Sequence, residues 1–504
     1  MDRRDFIKNS SLLTLPLILK SCDWLESKTD YSVHVQNDAH VGHLIRESQS
    51  FEVGSNLKTE TLVVGGGIAG MSAACHLKNQ DFILCELSNQ LGGSSSSGSF
   101  ENIRYSQGAH YDLSYPANYG AEVLSFLEKL NIIQYQEWYN RWSFVDRQHI
   151  IFHRSKNQCF DHGKFRKDVI PEGKLKEDFL KELGQYENQM QMPLRLIDSK
   201  HHHLSHQSFL QYLEERLEIT PEFVAWMDYH MKDDYGAGTA EISALAGIHY
   251  FKCRPYYEEI VELFSPPEGN HYFIKKMADS LSQDQLKTNQ LVSRIKESPN
   301  GFDVEVIDVE LKNKYVISCK NVVYAGQKHA IQYIYPEDKH LFENNQYAPW
   351  MVVNIVLTDK LPDIAYWQNE MLTEDASFMG FVDSATQQRK SKENRVLTAY
   401  YCLPQASRND LLNVESNKAV IAEKTIGFAT DYFGMSVDPF VKHVDIKVMG
   451  HAMPIPVSGY LFNDKNQLRK NKNIAYAGVD NGRLPLFFEA VDSGILAANI
   501  IQQN

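Results

Sequence analysis

The 504-residue chain has seven cysteines, and no two of them form a C-x-x-C pair. That spacing excludes a zinc ribbon, a thioredoxin-like dithiol and a C-x-x-C-H haem attachment. No disulfide framework is expected, and Cys85, inside an apolar run, reads as a buried small hydrophobe. Basic charge is also short: 51 Lys and Arg face 64 Asp and Glu, for a net charge of −13. A surface of that sign repels phosphate polyanions, so nucleic acid is not an expected partner. No block of like charge stands out, and no apolar stretch reaches the ~20 residues of a membrane-spanning helix. What is present is ordinary globular composition, 43% hydrophobic and 23% charged, which leaves no room for a fibrous or disordered class. The length exceeds what one core usually supports and favours two or more domains.

The beginning of the chain reads as an address. Arg3-Arg4-Asp5-Phe6-Ile7-Lys8 resembles the twin-arginine export signal, and the apolar stretch Leu12 to Leu19 fits a signal h-region. Leu19-Lys20-Ser21-Cys22 resembles a loose lipobox with Cys22 as lipid acceptor. Residues 1–22 are therefore read as the signal. The resemblance implies passage through the twin-arginine export machinery to the periplasm, with a candidate membrane anchor at Cys22. An amphipathic helix of a cytoplasmic protein is the alternative. Residues 23–57 are polar and without clear periodicity, and read as a tether.

Residues 58–86 carry the sharpest signal. Thr61-Leu62-Val63-Val64 is a β-branched run suited to a central parallel strand. Gly65-Gly66-Gly67-Ile68-Ala69-Gly70 follows, matching G-x-G-x-x-G. Gly65 permits the tight turn, Gly67 lets backbone approach a pyrophosphate, and Gly70 lets the next helix pack closely. That helix, from Met71 through Leu77, would present its positive N-terminus and free N–H groups to a diphosphate. A second run, Phe82-Ile83-Leu84-Cys85, ends at Glu86, about 20 residues beyond the first glycine, where a carboxylate accepts ribose hydroxyls. A purely structural glycine turn is the competing reading.

Five residues after Glu86 comes Gly92-Gly93. This arrangement resembles the second half of the FAD signature in the flavin-containing amine oxidase, phytoene desaturase and protoporphyrinogen oxidase superfamily. Where that family usually has Arg, this chain has Ser94, opening the run Ser94-Ser95-Ser96-Ser97. Asn473-Ile474-Ala475-Tyr476-Ala477-Gly478-Val479-Asp480 resembles the family's closing strand, which implies that Asp480 bonds the ribityl chain. Glu489 through Ala498 resembles the closing helix, whose start, near Ala490 and Val491, would stabilise charge at the flavin's pyrimidine end. Leu291-Val292-Ser293 resembles the strand whose valine, here Val292, meets adenine through its backbone, and Val322 to Gly326 the strand returning to the cofactor domain. The implied cofactor-binding set is Gly65, Gly67, Ala69, Gly70, Glu86, Gly92, Gly93, Ser94, Val292, Gly478, Asp480, Ala490 and Val491. No cysteine lies between His451 and Ser458, where some members link FAD covalently, so non-covalent FAD is expected.

The expected fold is α/β: a discontinuous Rossmann-type FAD domain (58–120, 266–330 and 466–504) with a mixed α+β substrate domain (121–265 and 331–465). The 121–265 stretch reads as largely helical and rich in aromatics, more of them core than pocket. His110, in the Gly108-Ala109-His110 segment, is the acid/base candidate; shaping the loop is its alternative role. His201-His202-His203 with His206 lacks an acid at ligand spacing and reads as a solvated loop, so no metal is expected. The lysine of amine oxidases in this family has its counterpart near Asn354, and no Lys is there. The amine-cage aromatic would fall near Leu486-Phe487, with Phe487 or Phe488 as substitutes. The functional expectation is hydride transfer from a small-molecule substrate, at an amine or a C–C bond, to flavin. Alternatives are a flavin-dependent isomerase without net redox and a non-enzymatic flavin-binding relic.

Overall fold

The computed structural model describes residues 31–46, 56–108, 113–114, 119–151, 157–253, 263–358, 360–364, 366–387, 394–469 and 473–503. Two large sheets organise them. The first is built around Leu57–Val64, whose last four residues are almost fully buried. Phe82–Cys85 pairs with it in parallel on one side and the end of Asn313–Tyr324 on the other. Leu286–Lys287 extends one edge, and Ile474–Tyr476 pairs in parallel with Val322 to Tyr324. Stretches from three distant parts of the chain therefore lie side by side. Gln290–Ser298 and Gly301–Asp308 form an antiparallel ribbon on the first half of the 313–324 strand. Helices Ile68–His76 and Phe487–Gln502 cover one face of this sheet and share one apolar core.

The second sheet is mixed and eight-stranded, in the order Ser32–Asn37, Val441–Pro454, Tyr347–Thr358, Asn394–Cys402, Phe378–Asp383, Gln368–Leu372, Asn157–Asp161 and Lys164–Arg166. The amphipathic helix Val414–Phe433 packs on one face through Ala422, Ile426, Ala429 and Tyr432. Inside the sheet, Arg395 and Asp383 form an ion pair with almost no solvent exposure. Breaking a pair so placed leaves an uncompensated charge, so it fixes the register of its two strands.

Three expectations need correction. The tether reading of 23–57 fails at Ser32–Asn37, which pairs in parallel with His443 to Val448. Its two valines alternate toward the core, but the run is too short to announce a strand by periodicity alone. The 121–265 stretch holds helices, including Pro221–Tyr235 and Ala244–Lys252, but also five strands between Ile133 and Arg166. The histidine run is no solvated loop. It forms a 3-10 helix, Ser199–His206, with His201 buried and bonded to Gln189 Oε1 at 2.8 Å and His202 stacked on Phe462 at 3.7 Å. Its rings face separate partners, and no metal-binding cluster of His, Cys, Asp and Glu occurs among the described residues.

Candidate active site

The first glycine turn has little steric freedom. Gly65 has φ +100°, and a Cβ on Gly70 would lie 1.9 Å from the Gly65 oxygen. Gly65 N donates to Cys85 O at 2.8 Å, which seats the turn above the neighbouring strand. Gly67 caps the following helix with no side-chain hydrogen bond, and no acid stands in its first turn. The first N–H groups of that helix thus have no side-chain partner, as a site for a diphosphate requires. Gly92 N donates to Gly66 O at 2.9 Å, and Gly67 bridges Gly92, so both glycine motifs meet at one place. Gly93 and Ser94 are exposed beside it, whereas Ser96 is buried with its Oγ unpartnered among the described residues.

Glu86 is 5% exposed. Burial raises its pKa, and the N–H groups of Ser88 and Gly66, which donate at 2.9 and 2.6 Å, oppose that shift. Gln290 N donates to Glu86 O, placing the strand that holds Val292 beside it. Val292 itself is buried in the sheet core with Leu62, Val64 and Cys85.

The C-terminal segment reaches the same place. Gly478, at φ +130°, donates its N–H to Ser493 Oγ at 2.9 Å. A Cβ on Gly494 would come within 2.2 Å of Ala69 O, so the two helices cross almost backbone to backbone. Asp480 is 6% exposed and accepts from Lys328 N at 2.8 Å, Lys328 Nζ at 3.0 Å and Tyr347 Oη at 3.1 Å. A carboxylate has about four lone-pair sites, so room remains for one hydroxyl. Ala490 N donates to Leu486 O, and Val491 is fully buried. At the start of the same helix, Glu489 accepts from Leu194 N and Arg483 Nη1, and Asp492 from Arg483 and Arg195. Burial pushes Glu489 up to about 7. An uncapped helix start, an unpartnered Ser96 and a partly engaged Asp480 together fit a dinucleotide with a polyol chain.

Sequence reasoning missed Lys328, Arg483 and Arg195. Lys328 follows a strand end with no local pattern to mark it, and the arginines act through acids 6 to 297 positions away. His110 and Cys22 lie outside the described residues. Asn354 is fully buried, donates to Ser106 O at 2.8 Å and accepts from Thr398 Oγ1 at 2.7 Å. Phe487 and Phe488, the candidates for an amine cage, open the last helix. Both are buried, against Phe273 and Tyr119, because their helix turns them into the core. Of the aromatics between 121 and 265, Tyr229 and Tyr235 are core, whereas Trp138 is 98% exposed.

Beside Asp480, His329 and His451 stack at 3.7 Å, edge-on to Tyr347 and near Arg408. Burial and the neighbouring positive charge lower His329 to about 4 and His451 to about 3. Unfolded histidine titrates near 6.5, so the unfolded chain takes up protons first. Stability from this pair is present above about pH 6.5 and falls as pH drops toward 4. His329→Asn should flatten the dependence of Tm on pH between those limits; an unchanged slope would contradict it.

Comparison with known proteins agrees with this geometry. Residues 68–398 match the family model for flavin containing amine oxidoreductases. No curated protein matches the sequence. Among solved structures, putrescine oxidase bound to putrescine is 15% identical with a TM-score of 0.65, covering 89% of this chain and 100% of that one. Cyclohexylamine oxidase from Brevibacterium oxydans IH-35A is 13% identical, TM-score 0.61, covering 88% and 99%. A protein assigned as protoporphyrinogen oxidase from Exiguobacterium sp. 255-15 is 14% identical, TM-score 0.60, covering 90% and 99%. The chain belongs to the flavin-containing amine oxidoreductase family and is an FAD-dependent oxidoreductase.

Proposed function

We propose that the chain oxidises a small organic amine with dissociable FAD. FAD, when bound, supplies the hydride acceptor; the protein supplies binding, orientation and charge. Gly65, Gly67, Ala69 and Gly70 present the uncapped helix start to the diphosphate. Glu86 takes ribose hydroxyls, Val292 offers its backbone to adenine, and Gly92, Gly93 and Ser94 line the opposite side. Gly478 and Asp480 receive the ribityl chain at the remaining acceptor position. The helix start at Ala490 and Val491 faces the pyrimidine end, where its dipole favours negative charge. His110 is the proposed acid/base group.

The observation that carries the amine reading lies on one face of the second sheet. Side chains two apart share a face, so Asn354 beside Thr398, Val352 beside Tyr400, and Trp350 beside Cys402 form a ladder away from Ser106. The Trp350 and Tyr400 rings meet edge-on at 6.1 Å. Burial raises the pKa values of Tyr400 and Cys402; Asp233 adds to the rise at both, while Lys232 opposes it at Cys402. Aromatic faces beside a carboxylate suit an ammonium group. Asn354 and Leu486 favour a second reading, oxidation of a C–C bond, since neither can do what the family's lysine and cage aromatic do. Anaerobic mixing of the yellow protein with primary and secondary amines should bleach the flavin absorbance. Bleaching by unsaturable hydrocarbons and not by amines would select the second reading.

Residues 1–22 supply the proposed route to the periplasm, with Cys22 as the proposed anchor. Arg3→Lys with Arg4→Lys should leave the protein in the cytoplasmic fraction; normal export of that variant would rule the route out.

A further inference from the structure

Residues 31–46 cross from one sheet to the other. Tyr31, Val33 and Val35 pack on the core of the second sheet, while Ile45 packs on the core of the first. The Arg46 guanidinium then sits 5.6 Å from the Tyr333 ring centre. Covering a sheet edge would explain the backbone pairing of Ser32–Asn37. It does not explain where the polar side chains go.

Two of them converge on a single stretch, Glu86 to Gln107, which holds the second glycine motif. His34 Nδ1 bonds Asp445 Oδ1 at 2.9 Å, and Asp445 Oδ2 accepts from Gln107 Nε2 at 2.8 Å. Gln107 N in turn donates to Ser96 O at 3.0 Å. Asp38 Oδ2 accepts from Lys447 Nζ at 2.6 Å and from Ser88 Oγ at 3.3 Å, and Ser88 N donates to Glu86 Oε1. Asp445 and Lys447 are 3% and 5% exposed, so these are buried charges whose partners the crossing segment helps to supply. One end of the segment thus holds the ribose carboxylate side of the cleft and the other holds the serine run.

We propose that residues 31–46 are a strap that retains FAD, with His34, Asp38 and Asp445 as positioning residues. Docked, the strap fixes the 86–107 stretch in the shape that clasps ribose and diphosphate. Undocked, it frees Ser88 from Asp38 and leaves Asp445, the partner of Gln107, without His34, and the clasp loosens. The inference rests on the FAD-binding assignment above. Coupling between two sites is reciprocal, so bound FAD must favour the docked strap by the same factor by which the strap favours FAD.

The test uses the full-length holo-protein and a His34→Ala/Asp38→Asn double variant. Flavin release is followed by fluorescence after dilution, and backbone protection by hydrogen exchange. The double variant should release FAD about tenfold faster, within the range of measured couplings, with faster exchange across 32–37 and 86–107 and unchanged exchange in 57–64. In the wild type, loading apo-protein with FAD should slow exchange across 32–37. Release at the wild-type rate from a variant whose 32–37 strand exchanges freely would overturn the proposal. So would equal protection of that strand in apo and holo wild type, or a double variant whose strap stays fully protected. A wild-type protein that takes up no FAD would instead overturn the cofactor assignment itself.

Discussion

Lys328→Met is expected to destabilise the protein by about 3–5 kcal/mol, the cost of leaving one member of a buried ion pair unmatched. The Lys328 side chain is fully buried, and its Nζ donates to Gly326 O at 3.0 Å, Ala477 O at 2.6 Å and Asp480 Oδ1 at 3.0 Å. An ammonium has three donors, so all of them are in use. Burial lowers the lysine's pKa, and Asp480 opposes that shift. The two carbonyls lie just past the ends of the 313–324 and 474–476 strands, where a parallel sheet opens its ligand crevice. Methionine fills a similar volume but leaves Asp480 charged, half-matched and beside two carbonyls without their donor. Thermal unfolding with and without added FAD measures the effect, and the variant should also purify with less bound flavin. Adding Asp480→Asn should recover part of the lost stability by removing the stranded charge, without restoring flavin content. A wild-type Tm for Lys328→Met would show that the pair contributes nothing.

Gly70→Ala and Gly67→Ala should separate folding from cofactor binding. The added methyl at position 70 would lie 1.9 Å from Gly65 O and 3.1 Å from its carbonyl carbon, both backbone atoms that cannot step aside. The helix must move off the turn, with a loss at or above the upper end of the ~1–3 kcal/mol typical of overpacking. At position 67 the nearest atom to the added methyl is Gly92 O at 3.7 Å, ordinary contact. Gly67→Ala should leave the Tm of the apo-protein within about 1 °C, since a substitution with no clash changes stability by under ~0.5 kcal/mol. It should still weaken FAD binding at least tenfold, because the methyl projects where the diphosphate must approach. Flavin titration of both apo-variants checks this. Equal FAD affinity for Gly67→Ala and wild type would remove the diphosphate from that turn.

These glycines were legible because their rule is local: a strand, a tight turn and a helix start within a dozen residues force the same answer in any context. Glu86 was legible for the same reason, its distance from the turn being set by one helix and one strand. Asp480 was found through resemblance to a closing motif, but its partner Lys328 was not, since no local pattern marks a lysine for burial. The 31–46 strap was misread as a tether because its edge strand pairs with a segment more than 400 positions away, and its polar side chains look solvated in sequence. The stacked pair of His329 and His451 was hidden likewise: each ring is shielded by elements that only the tertiary fold brings together.

The central sheet also dictates an order of events during synthesis. Val322 to Tyr324 has its outer neighbour in Ile474–Tyr476, so a nascent chain emerging up to residue 450 would carry an unsatisfied ladder along that strand. Such an edge invites pairing with other chains. A ribosome-bound fragment of this length should therefore depend on chaperones until its last helix arrives, and premature termination late in the message should yield aggregate rather than an apo-enzyme.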